Sequence, residues 1–320
     1  MQSDAISGLV RRMPPAVFPS IMGLTGLALA WRAAGVALGI GQFAHLVVFA
    51  AAIGIYTLMF VLYAAKFMRR MNVFMGDMRT FPGRMGLATM TLTLMLFAIG
   101  LTPYTPYVAR AILFAGLIGH ICIAIGAVVF LIQASREDRR VTPVWHLTFV
   151  GFIVGALAAA PLGYDRLSLV LFAVTFVLSL LIYGATLEQS KTTTIPPPMR
   201  PTLMIHLAPL SLFGSTALVL GLPGTAVTFA VIASCLFFSL LIRVRWITEA
   251  GFTPFWASFT FPVAAYSALL LSLADQFAPF LWVGVTVLVA ATLLIPFILF
   301  RVQVLFWTGK LAAATKPAEA

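Results

Sequence analysis

Long uncharged apolar runs alternate along the chain with short polar connections that carry most of its charge. The runs lie at approximately 15–31, 37–65, 85–101, 111–134, 144–164, 167–187, 202–221, 224–242, 254–274 and 277–300. A membrane-crossing helix needs ~20 apolar residues, so the pattern predicts ten of them. They use most of the 320 residues, which predicts a single all-α polytopic membrane domain over 1–320 with no separate soluble part. A proline recurs at the first end of every odd-numbered helix, at Pro19, Pro82, Pro143, Pro201 and Pro254. Each interval holds two spans and their turns. The chain therefore reads as five helical hairpins of one orientation, approximately 13–66, 80–135, 142–188, 200–243 and 253–308, related by an axis along the membrane normal. Proline is also common in any helix's first turn, which accounts for each one singly but not for the near-regular period.

The odd helices share a second pattern, small residues at helical spacing. Helix one carries Gly23 and Gly26; helix three, Gly86, Thr89 and Thr93; helix five, Gly151 and Gly155; helix seven, Gly214 and Ala217. Helix nine repeats the pattern with Ala257, Ser258, Ala264 and Ala265, interrupted by one bulky residue, Phe261. Phe255, Phe259, Tyr266 and Leu270 point to its other faces. Such stripes fit a pore wall, with the odd helices around a quasi-fivefold axis and the even ones outside. They fit a close helix–helix contact as well, the commoner use of small residues in membranes. Pro161, Pro209 and Pro262 fall within or near the ends of these helices, where each frees a carbonyl and is expected to kink the backbone.

Composition agrees with the membrane reading: 62% of residues are hydrophobic and 9% charged, and mean hydropathy is +1.06. Charge adds orientation. The net charge is +11, and all but Arg32, Arg110 and Arg166 of the 20 Lys and Arg residues fall on the side of the N-terminus. That asymmetry predicts both termini in the cytoplasm and argues against a nucleic-acid partner as the source of the charge. Arg11-Arg12 before the first run could belong to a signal peptide, but Pro14, Pro15 and Pro19 suit one poorly. Cys122 and Cys235 lie mid-span and read as packing residues.

Candidate chemistry is sparse. No Asp, Glu or Lys falls in the middle of a predicted span, where coupled transporters keep their proton relays. No phosphate-cradling loop is present. His45, His120, His146 and His206 lie one each on helices two, four, five and seven. With no close pair or neighbouring carboxylate in sequence, they read as satisfied polar packing rather than a haem or metal site. No cofactor and no enzymatic activity are expected. What remains is an uncharged path with a basic rim, Arg84 being the basic residue nearest an inner-helix entrance. Helix N-termini and basic rims favour anions. A neutral narrow wall suits small monovalent anions better than dicarboxylates, which would need paired arginines deep in the path.

Phe18-Pro-Ser-Ile-Met-Gly-Leu-Thr-Gly-Leu-Ala-Leu-Ala-Trp31 and Phe255-Trp-Ala-Ser-Phe-Thr-Phe-Pro262 resemble the first and ninth helices of the tellurite-resistance (TehA-type)/dicarboxylate transporter family, bacterial relatives of the plant guard-cell slow-type anion channels. Arg79-Thr-Phe-Pro82 and His206-Leu-Ala-Pro209 are similar to its other motifs. The resemblance implies ten helices around a central pore, a homotrimer in the bacterial inner membrane with one pore per subunit, and a gate formed by a phenylalanine on helix nine, here Phe261. It implies inorganic anions and the lipid bilayer as partners. The leading expectation is a gated passive anion channel for chloride or nitrate; the alternative is a proton-coupled carrier or efflux protein for tellurite or C4-dicarboxylates.

Overall fold

A computed structural model describes residues 8–135 and 138–320; Arg136, one of the basic residues counted above, lies outside them. Besides short connecting helices at Val73–Arg79, Val244–Ile247 and Lys310–Thr315, ten principal helices follow in order: α1 Phe18–Ala37, α2 Phe43–Arg69, α3 Phe81–Leu101, α4 Pro106–Gln133, α5 Phe152–Ala159, α6 Asp165–Ser190, α7 Leu207–Val219, α8 Pro223–Ile242, α9 Ala257–Ser272 and α10 Ala278–Trp307. Among the described residues nine helices are long and apolar enough to cross a membrane, and no strand occurs. The fifth predicted span is a shorter composite, His146–Leu162. It begins with a π-helical turn, His146–Val150, and ends in a 3-10 turn, Ala160–Leu162. An apolar run predicts burial and length but says nothing about a change of winding.

Burial separates inner from outer helices. In α1, α3, α7 and α9 between 67% and 78% of the apolar window is buried, against 22–39% in the even helices. The odd helices also close on one another: α1 packs on α3, α3 on α5, α5 on α7, α7 on α9 and α9 on α1. Each even helix lies outside its hairpin partner, and its large apolar residues, such as Ile118, Leu181, Leu293 and Phe300, face outward. α2, α4, α6 and α10 run to 27, 28, 26 and 30 residues, whereas α7 and α9 have 13 and 16 and α5 only 8. Stretches of other winding extend the inner helices at their first ends: single 3-10 turns at Pro15–Val17 and Pro254–Trp256, a ten-residue 3-10 run at Pro197–His206, and the π turn before α5.

Three of the tight hairpin turns depend on glycine in the left-handed region, Gly39 (φ 64°), Gly163 (φ 87°) and Gly221 (φ 74°), a conformation that costs other residues more. These turns share one face of the molecule, where Arg32 donates to the Ile99 carbonyl and Arg110 to that of Leu162. The opposite face is basic. There Glu319 lies between Arg11 and Arg12, Arg200 pairs with Glu249, and Arg301 stacks over Phe252.

Two charges at the connection between α2 and α3 are sealed from solvent. Lys66 is fully buried, its Nζ 2.8 Å from Asp77 Oδ2 and 2.9 Å from the Met13 carbonyl. The Asp77 carboxylate also accepts from Tyr63 Oη (3.1 Å) and the Ala318 amide (2.7 Å). A charge this deep needs every lone pair and proton satisfied, and this ion pair ties the segment before α1, the end of α2, the short helix Val73–Arg79 and the last residues together.

Candidate functional site

The small-residue stripes resolve into two uses. A Cβ on Gly23 would fall 2.1 Å from Thr260 Oγ1, and one on Gly86 2.1 Å from the Pro15 carbonyl oxygen. Gly155 faces Leu117 and Met95, and Gly214 faces Leu269 and Phe229. These glycines let helices approach. Thr89 and Thr93 bond back to carbonyls of their own helix, to Met85 and Gly86 from the first and to Thr89 from the second. Ser258 approaches Met85, while Ala217, Ala257 and Ala264 are buried away from the open space. Of the thirteen residues expected to line a pore, Gly26, Gly151 and Ala265 border an axial cavity, and the other ten are not among the wall residues of either cavity.

The axial walls come from neighbouring stripes with the same three-and-four spacing. α1 contributes Met22, Gly26, Leu29 and Ala33; α3, Leu92, Leu96 and Ile99; the α5 segment, Val150, Val154, Leu157 and Pro161. α7 contributes Ala208, Leu212, Ser215 and Val219; α9, Phe261, Ala265, Ala268 and Ser272. All five inner helices therefore supply one face to a common axis. Leucine and valine dominate it rather than glycine, and for that reason composition did not single it out.

Two cavities lie on this axis. The larger, about 660 Å³, reaches the face of Arg32 and Asp275, which are its charged wall residues. The smaller, about 20 Å³, lies toward the basic face among Met22, Leu92, His146, Val150, Ile205 and Ala208. Phe261 and Leu212 belong to the walls of both, and they are 5% and 6% exposed. They form the septum. Gly26 makes room for the ring, since a Cβ there would sit 2.9 Å from Phe261 Cδ2. The remaining aromatics of this segment face elsewhere, Phe255 against Phe81, Phe259 against Trp256 and Tyr266 stacked on Phe237.

Pro161 borders the larger cavity in the 3-10 turn that ends α5, and Pro209 borders the smaller one in the first turn of α7. Pro262 lies inside α9, beside the septum, where its missing N–H leaves the Ser258 carbonyl without its helical donor. Arg84 departs from expectation. It is 8% exposed and borders neither cavity. Its guanidinium donates to the Met78 and Arg79 carbonyls and lies 4.3 Å from the Phe130 ring centroid. Its aliphatic and planar parts suit this cleft between α3 and α4, so the charge closes a helix junction instead of forming a rim.

The histidines divide as well. His45 Nδ1 lies 2.8 Å from the Ala28 carbonyl and His120 Nδ1 2.7 Å from Thr91 Oγ1. His146 and His206, 60 positions apart in sequence, meet: Nε2 of the first is 3.1 Å from Nδ1 of the second. The π turn places one ring and the last residue of the 3-10 run Pro197–His206 places the other. Irregular winding is what brings them together, so no sequence spacing predicts the pair. A third His, Cys, Asp or Glu to complete a metal site is absent among the described residues.

The family described as voltage-dependent anion channel (SLAC1) matches residues 12–303, nearly the whole chain, from before α1 to within the last turns of α10. A curated relative, the guard cell S-type anion channel SLAC1 of Arabidopsis thaliana, is 28% identical over 143 residues, 44% of this chain. The match covers 26% of that relative's length. Ten helical elements, five of them inside, an axial pair of cavities and a family match along the whole membrane domain agree: the chain belongs to the voltage-dependent anion channel family, a family of channels and transporters.

Proposed function

We propose that the protein is a gated passive channel for small monovalent anions of the chloride or nitrate kind, closed by Phe261. One observation carries this reading. Phe261, with Leu212, belongs to the walls of both cavities on the axis of the five inner helices, and on this reading removing the ring joins them. A phenyl ring across an apolar neck closes it sterically and by dewetting. The wall near the neck holds no charged side chain among the described residues, which suits a weakly hydrated monovalent anion. The basic face is the cytoplasmic one by the positive-inside rule, and the first ends of the inner helices open toward it, an arrangement that favours anions. The homotrimer in a bacterial inner membrane is part of the same reading and rests on the family resemblance.

The test is chloride and nitrate flux into liposomes holding the purified protein. Each 1.36 kcal/mol off a barrier is about tenfold in rate, so a neck worth a few kcal/mol predicts roughly a hundredfold rise for Phe261→Ala. Phe259→Ala, which borders neither cavity, leaves flux at the wild-type level. If Phe261 serves packing instead, its truncation costs ~3–5 kcal/mol, and the variant melts earlier without conducting. A proton-coupled carrier is the second reading, and the His146–His206 pair favours it; flux that strictly requires a pH gradient would replace the channel with the carrier.

A further inference from the structure

His146 is 2% exposed, and its Nδ1 has no hydrogen-bond partner. The residue forms part of the wall of the smaller cavity, on the basic side of Phe261. A buried polar atom without a partner costs about 1–3 kcal/mol and calls for an explanation. The cavity's volume of about 20 Å³ is enough for one guest of roughly water size.

The pair has two neutral arrangements. When His146 Nε2–H donates to His206 Nδ1, the free Nδ1 of His146 is a base. When His206 Nδ1–H donates instead, His146 presents an Nδ1–H. Adding one proton to the first arrangement makes His146 an imidazolium, with one N–H held by His206 and the other free.

The surroundings offer this cation no counter-charge. From α6, Tyr183 packs its ring 4.6 Å from that of His146 and donates its hydroxyl to the His206 carbonyl. From α3, Arg84 is bonded to the Met78 and Arg79 carbonyls. From α4, His120 is bonded to Thr91. On the 3-10 run that carries His206, Arg200 is paired with Glu249. No carboxylate among the described residues pairs with either histidine. A lone buried imidazolium is costly, and so is a lone anion in an apolar neck; together each offsets the other's desolvation.

We infer that the His146–His206 pair is a subsite that takes up one proton and one chloride-sized monovalent anion together, directly below the septum. This rests on the reading of the axis as the ion path and adds to it a coupling between the anion and cytoplasmic protons. Binding is reciprocal: chloride favours protonation and protonation favours chloride.

The full-length wild-type protein, labelled with ¹⁵N at histidine and placed in lipid bilayers, gives the direct measurement. Its imidazolium signals are followed by solid-state NMR from pH 8 to pH 4, in chloride at two concentrations and in gluconate. The expected result is a midpoint that rises by about one pH unit for each tenfold increase in chloride and stays fixed in gluconate. His146→Gln is expected to remove the chloride-dependent signal while leaving those of His45 and His120. A midpoint indifferent to chloride overturns the subsite, and so does a chloride-dependent signal that survives in His146→Gln. Flux through Phe261→Ala separates the two readings. Chloride-linked titration without flux removes the pore and keeps the subsite, whereas flux without chloride-linked titration removes the subsite and keeps the pore.

Discussion

Leu212 shares the septum with Phe261, and it carries no feature that distinguishes it in sequence from any other leucine of α7. Its position predicts a graded effect. Leu212→Ala removes the smaller side of the neck, and flux is expected to rise by about tenfold, equivalent to roughly 1.4 kcal/mol of barrier. The two residues are in one constriction, so Phe261→Ala and Leu212→Ala combined are expected to give less than the product of the single effects. A simple product in the flux assay would place Leu212 outside the neck. Lys66 supports a different expectation. Lys66→Ala leaves Asp77 buried and uncompensated, which costs ~3–5 kcal/mol and lowers the melting temperature in detergent. Pairing Lys66→Met with Asp77→Leu, which removes both charges, is expected to recover much of that loss; a double variant as unstable as Lys66→Ala would show that the hydrogen bonds to Met13, Tyr63 and Ala318 matter more than the charge.

Among the elements, helix number, order and the inner position of the odd helices were legible because long apolar runs, entrance prolines and stripes of small residues are local signals. The axial face was not. Small residues drew attention to Gly23, Gly86 and Gly214, yet those faces hold neighbouring helices, and the axial face of Leu29, Leu96, Leu157 and Leu212 looks like ordinary membrane core. Phe261 stands out in sequence as one ring on a small face, and in the structure it belongs to the walls of both cavities, with Gly26 and Ala265 beside it bordering the larger. The histidine pair was hidden for another reason: a π turn shifts the residues before it round the axis relative to an α-helix. The glycine assignment is testable. Gly86→Ala puts a methyl 2.1 Å from a backbone oxygen, and overpacking of this kind costs about 1–3 kcal/mol, so folded yield and melting temperature are expected to fall. Gly39→Ala meets open space but a φ of 64°, and its smaller loss would reflect backbone strain alone.

On the scale of the whole molecule, charge is collected on one face while the path itself is nearly bare of it. If the basic face concentrates anions, transport through Phe261→Ala at low anion concentration is expected to weaken as impermeant salt is added, since the Debye length shrinks to about 10 Å at 0.1 M. Arg84→Gln is expected to act on stability rather than on that salt dependence, because the guanidinium is enclosed between α3 and α4. A salt curve flattened by Arg84→Gln in a stably folded protein would return it to the rim.

The depth to which the larger cavity reaches between the inner helices has an electrical consequence. Where a wide aqueous mouth reaches deep into the protein, little of the transmembrane voltage falls across it, and the drop is concentrated on the thin septum at Phe261 and Leu212. An ion waiting in the larger cavity has then crossed almost none of the electrical distance, however deep in the protein it lies. Crossing the septum moves nearly a whole charge through the field, worth about 2.3 kcal/mol per 100 mV. Single-channel currents through Phe261→Ala are therefore expected to bend steeply with voltage, while an anionic blocker lodged in the outer mouth holds with the same strength at every potential.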